Sequence, residues 1–309
     1  MQSYKFANHN FATGASAYPD HPRHQRQRAE HDGGAPGGRQ ADVRSRRLPA
    51  VSAAVRLSRR VPVCSREQTK DEPLFEEPLQ LIRGESAIRE PGNYYEVLRA
   101  IARGATHFNE ILQQSKISSG QLLTGRLDRL AKLRYIDERR PIGGNGSPGW
   151  SVSDPFFRFW FRYVYPNRSR LQRGRVEEVC EAILTDIDNH MGSIFEQVCR
   201  DWAGRYSADP QLAGAEDIGA HWTRTHDVEV DLVARSRKGI LAVGSCKWSR
   251  RADTHDLDRL IELRGRIRGG GSAALYIFAR DFHKRLVEHA ERDGVRLVSA
   301  DELFAEPES

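Results

Sequence analysis

A chain of 309 residues with 39% hydrophobic and 29% charged side chains is long enough for two domains and a substantial core. No apolar run approaches the ~20 residues needed to cross a bilayer, and the N-terminus lacks the apolar stretch of a secretory signal. Cys64, Cys180, Cys199 and Cys246 follow neither a disulfide framework nor a zinc spacing, so a cytoplasmic protein without membrane association is the expectation.

The net charge of +6 is unevenly spread. Residues 1–70 hold 13 basic and 5 acidic side chains, residues 94–153 hold 9 and 5, residues 154–175 hold 6 and 1, and residues from 176 onward hold 18 and 25. An electrostatic footprint for nucleic acid within the folded part therefore belongs to the middle of the chain.

Residues 1–70 show no helical or strand periodicity and are expected to form a disordered, arginine-rich tail. The run Gly33-Gly34-Ala35-Pro36-Gly37-Gly38-Arg39-Gln40 has the glycine spacing of a phosphate loop. It lacks the lysine, the hydroxyl residue and the preceding strand that hold a nucleotide. Residues 71–93, punctuated by prolines in Glu72-Pro73-Leu74-Phe75-Glu76-Glu77-Pro78-Leu79, are expected to be an extended connector.

Residues 94–153 read as a winged helix-turn-helix. Tyr95, Leu98, Ile101 and Ala102 share one face of a first helix that Gly104 can end, and Phe108, Ile111 and Leu112 face inward from a second. Leu122, Leu123, Leu127, Leu130 and Leu133 line a third. Two short strands, Tyr135–Arg139 and Trp150–Val152, flank a Gly-rich loop. The third helix is the candidate recognition element, offering Ser119, Gln121, Thr124, Arg126 and Arg129 to base edges. Lys116, Lys132, Arg139 and Arg140 are placed to hold phosphates of double-stranded DNA. Winged helices also dock proteins, so a protein partner is the competing expectation.

Residues 154–175 form an aromatic linker helix in which Phe156, Phe159, Trp160 and Tyr163 share a face that clamps the winged helix to the C-terminal region. Residues 176–309 open with two helices broken near Met191-Gly192, the second carrying Glu196, and then switch to a period of two. Strands Val228–Val233 and Ile240–Lys247 meet at a turn near Arg237. A helix, a strand, a second helix and a last strand complete a mixed sheet covered by helices.

In that hairpin Glu229 and Asp231 face one side, as do Ser245 and Lys247; a turn centred on Arg237 sets 229 opposite 245 and 231 opposite 243. An aspartate on one strand and an acid-x-lysine on its partner can hold Mg²⁺ through oxygen ligands, with the lysine steadying the phosphate. A partly buried ion-pair cluster is the purely structural alternative. His221 and His226 have no third ligand nearby, and Cys246 should point into the core.

Asp154-Pro155-Phe156-Phe157-Arg158-Phe159-Trp160-Phe161, Phe195-Glu196, Glu229-Val230-Asp231 and Cys246-Lys247-Trp248 resemble the C-terminal module of the archaeal-type AAA-family ATPases. The resemblance covers about residues 72–305. It implies a winged helix followed by a restriction-endonuclease-like domain of the PD-(D/E)xK kind, within an α+β or α/β fold class. It further implies a truncated or rearranged product, because the nucleotide-binding domain is replaced by the tail, and no ATP site is carried over. The family's Gly-Glu-Cys-Lys stands here as Gly244-Ser245-Cys246-Lys247, a neutral hydroxyl in place of the second metal-ligating carboxylate.

The expected protein is thus a DNA-binding remnant with an inactive nuclease-like domain and no cofactor. The alternatives are an impaired Mg²⁺-dependent DNA endonuclease, using Asp231, Lys247, Glu229 and Glu196, and a protein-docking module.

Overall fold

The computed structural model describes residues 73–205, 209–248 and 250–304; the tail and its Gly33–Gln40 run lie outside them. The connector departs from expectation at once. Pro73–Gly84 is a helix, α1, with Pro78 inside it. Burial of Leu79 and Ile82 against the neighbouring helices outweighs the missing amide of that proline.

Three more helices come next: α2 (Pro91–Ala102), α3 (Phe108–Ser115) and α4 (Gly120–Lys132). The antiparallel strands β1 (Ile136–Arg139) and β2 (Gly149–Val152) complete the winged-helix arrangement. Of the leucines in the third helix, Leu123, Leu127 and Leu130 are buried, whereas Leu122 is 47% exposed and Leu133 is half-buried.

The aromatic stretch is helical but not uniformly so. A π-helical turn, Trp160–Val164, joins α5 (Pro155–Phe159) to α6 (Tyr165–Gln172). Phe157, Trp160, Phe161, Tyr163 and Val164 enter the core, while Phe156 is exposed at the edge of that face.

Helix α7 (Val176–Arg205) runs unbroken through Met191-Gly192, contrary to the expected break. A glycine inside a helix costs about 1 kcal/mol, which burial of His190, Met191 and Phe195 offsets. Its length matters for the site: the first half packs with the winged helix through Val179 and Ile183, and the second packs on the sheet through Phe195, Cys199 and Trp202.

The sheet has five strands in the order β3 (Asp217–Trp222), β4 (Glu229–Ser236), β5 (Gly239–Lys247), β6 (Ala274–Ala279) and β7 (Arg296–Ser299). Pairing is antiparallel from β3 to β5 and parallel from β5 to β7. Helices α8 (Thr254–Arg266) and α9 (Lys284–Asp293) cover one face around Val233, Val243 and Ile277, and α7 with α10 (Ala300–Leu303) covers the other around Leu232, Tyr276 and Phe278. Mixed α+β architecture with a winged helix-turn-helix ahead of a helix-flanked mixed sheet is what the sequence predicts. Among the described residues, no helix is long and apolar enough to cross a membrane.

Candidate functional site

The β4–β5 hairpin turns over Ser236–Gly239, with Gly239 at a φ of +143° that favours glycine. One extra residue in β5 shifts the ladder between Ala234 and Arg235, so Val233, not Asp231, stands opposite Val243, and Leu232 opposite Gly244. Relative to the expected pairing this is a displacement of two residues. An even displacement keeps every side chain on its own face, so the site residues still converge although the pairs expected for positions 229 and 231 are corrected.

A second irregularity, in β4 against Gly219 and His221, falls beside Asp231. There the aspartate side chain takes part in the ladder: its Oδ2 accepts from the Cys246 amide at 2.7 Å and from the Ser245 hydroxyl at 3.3 Å. The Asp231 carbonyl in turn accepts from Arg200 Nη1 at 2.7 Å. Asp231, Ser245, Lys247 and Glu229 line one cavity of about 290 Å³, together with Arg250, His255, Asp256 and Arg259 of the loop and helix after β5.

Lys247 meets Asp256 Oδ1 at 3.6 Å. Asp256 is only 3% exposed and also takes a bidentate pair from Arg250, at 2.8 and 2.6 Å. Those bonds and the neighbouring Lys247 hold its carboxyl below the usual range despite its burial. Glu196 approaches from α7, 3.6 Å from Arg200. Burial, and then the charge of Asp231, push its carboxyl up to about 7. Cys246 packs on the α7 side, as expected of the residue between Ser245 and Lys247, and burial beside the Cys199 thiol raises its pKa.

A serine hydroxyl bonded to Asp231 is a poor substitute for a second anionic ligand. Among the described residues, no three His, Cys, Asp or Glu side chains stand close enough to hold a metal ion, and Asp231, Glu229 and Glu196 do not form such a group. Ser245 thus leaves this face one carboxylate short of the ligand set that the resemblance implies.

The residues expected to read DNA are largely engaged within the molecule. Ser119 caps α4 by accepting from the Leu122 amide, Thr124 donates to the Gly120 carbonyl, and Lys132 pairs with Asp128. Arg126 lies over the Tyr94 ring and near Glu90, Arg129 donates to the Ala87 carbonyl, Arg139 donates to Gln197 and Arg140 pairs with Glu138. Gln121 and Lys116 are exposed, Lys116 in the left-handed conformation that closes α3.

The wing is engaged as well. The Ile142 amide donates to the Ala220 carbonyl at 2.8 Å, His221 Nδ1 meets the Ile142 carbonyl at 2.8 Å, and Trp222 Nε1 donates to the Ser147 carbonyl at 2.9 Å. This loop covers the open edge of β3. His226 sits against His107, with ring centroids 4.4 Å apart, so His221 contacts the wing loop and His226 the start of α3.

Arg200, Arg250, His255, Asp256 and Arg259 were not expected at the site. Arg200 lies off the apolar stripe of Phe195, Cys199 and Trp202, so residue spacing gives no signal for it.

The segment carrying this hairpin and the second half of α7 has counterparts. A family model described as archaea bacterial proteins of unknown function, DUF234, matches residues 160–257. Glu196, Glu229, Asp231, Ser245 and Lys247 lie inside that similarity. The chain is also 30% identical to an uncharacterized protein of Methanocaldococcus jannaschii, MJECL04, over 149 residues, which is 47% of this chain and 33% of that protein. The match thus spans about a third of the relative's length. No solved structure matches.

Proposed function

We propose that this chain binds nucleic acid and holds in its C-terminal sheet a phosphodiesterase-type site that has lost hydrolysis. The observation that carries the reading is Ser245: it lines the same cavity as Asp231 and Lys247, with its hydroxyl bonded to Asp231 where the resembling motif has a carboxylate. Asp231 and Lys247 are the pair such chemistry needs, one to hold a cation and one to steady a phosphate. Serine at position 245 removes one negative charge from the groups that would recruit the cation.

A cleavage assay on double-stranded DNA with Mg²⁺ or Mn²⁺ tests this. Wild-type chain should leave the substrate intact, Ser245→Glu should cut it, and adding Asp231→Ala or Lys247→Ala to Ser245→Glu should abolish cutting. Metal-dependent cleavage by the wild type would instead establish an impaired but active endonuclease. A second reading, a protein-docking winged helix, is favoured by the exposed Leu122 on a helix whose basic side chains are internally paired. DNase-resistant recovery of one protein on the full chain, lost with Leu122→Ser, supports it.

A further inference from the structure

Beside the hairpin, three arginines from three elements gather along one face of α7. Arg139 closes β1, Arg158 lies in α5 and Arg200 in α7. Their partners are mostly neutral: Arg139 donates to Gln197 Oε1 at 3.1 Å, Arg158 to Ser193 Oγ at 3.1 Å, and Arg200 to the Asp231 carbonyl at 2.7 Å. Glu196, 3.6 Å from Arg200, and Asp137, whose charge reaches Arg139 and Arg158, are carboxylates beside them. The Arg200 side chain is 7% exposed, and its Nη2 is buried with no hydrogen-bond partner.

An unpaired guanidinium nitrogen in such a position is costly unless a further acceptor arrives. Burial, and then the charges of Arg200 and Arg158, lower the pKa of Arg139 to about 10; burial lowers that of Arg158 against the pull of Glu196, with Arg200 and Arg162 adding to the fall. Guanidinium forks suit phosphate oxygens in particular. Ser193, Gln197 and Arg200 succeed one another at helical spacing on α7, so this face leads from the winged-helix hairpin to the backbone of Asp231.

We propose that Arg139, Arg158 and Arg200 form a seat for a backbone phosphate of a nucleic-acid strand, adjoining the Asp231–Lys247 cavity. This rests on the nucleic-acid reading above and moves the main contact from α4 to the junction of β1, α5 and α7.

The test is fluorescence anisotropy of the full chain with a labelled duplex and a labelled single strand across a salt series. Arg139→Gln and Arg158→Gln should each weaken binding about tenfold and lower the logarithmic salt slope by about 1, whereas Lys284→Gln, an exposed charge elsewhere, should leave both unchanged. Unaltered affinity and slope in the two folded arginine variants overturn the seat. Should either variant fail to fold, photocrosslinking of wild-type chain to a 4-thiothymidine oligonucleotide decides instead. Crosslinks within 137–140, 154–162 or 193–200 support the seat, and crosslinks confined to 116–134, or no crosslink and no oligonucleotide binding at all, overturn it. The cleavage result for Ser245→Glu bears on the hairpin alone, so the two readings fail separately.

Discussion

His190 shows how a single buried group sets a pH response. It is 3% exposed, stands against the rings of Phe159 and Tyr163, and its Nδ1 has no partner. Burial first, and then the charges of Arg158 and Arg162, lower its pKa to about 3. A folded-state value below the unfolded one means that stability is held above the unfolded pKa and lost as pH falls below it. Between pH 7 and pH 5 the unfolded chain gains a proton that the folded one refuses, a loss on the order of 2 kcal/mol. Melting curves at the two pH values should show this fall in the wild type and a smaller one in His190→Leu. Equal falls would mean that His190 is not the group responsible. Trp160, 1% exposed at the centre of the aromatic segment, gives a complementary test: Trp160→Ala should cost about 3–5 kcal/mol in denaturant unfolding.

At the scale of elements, the wing is fixed by glycines. A Cβ on Gly144 would collide with the Trp222 carbonyl, and one on Gly146 with the Trp222 indole. Gly146→Ala should therefore push the loop off β3, costing roughly 1–3 kcal/mol in thermal or denaturant unfolding and speeding proteolysis within 141–148. An unchanged melting temperature and cleavage pattern would argue against the docking.

The sequence reveals such a loop as Gly-rich but cannot show what it packs on, because Trp222 is distant in the chain. The same limit explains the other departures. Pro78 and Gly192 are local helix breakers overruled by the burial of Leu79, Ile82, Met191 and Phe195, while the π-helical turn Trp160–Val164 leaves no mark on residue spacing. The strand alternation of Glu229, Asp231, Ser245 and Lys247 was legible because parity survives a register shift of two. The arginines were not, since their meeting depends on α7 spanning both cores.

For the whole molecule, the wing on β3 and the long α7 together tie the winged helix to the sheet. That arrangement turns the usual DNA-contacting loop inward and brings β1 toward the Asp231 hairpin through Arg139 and Gln197. On the proposed reading, the hairpin keeps the layout of a metal-dependent phosphodiesterase with one ligand exchanged for serine. Calorimetric titration of Mn²⁺ into the full chain probes that exchange itself. Ser245→Glu should bind at least about tenfold more tightly than wild type, and Asp231→Ala added to it should erase the gain. Equal affinity in wild type and Ser245→Glu, or a gain that persists without Asp231, would refute the exchange.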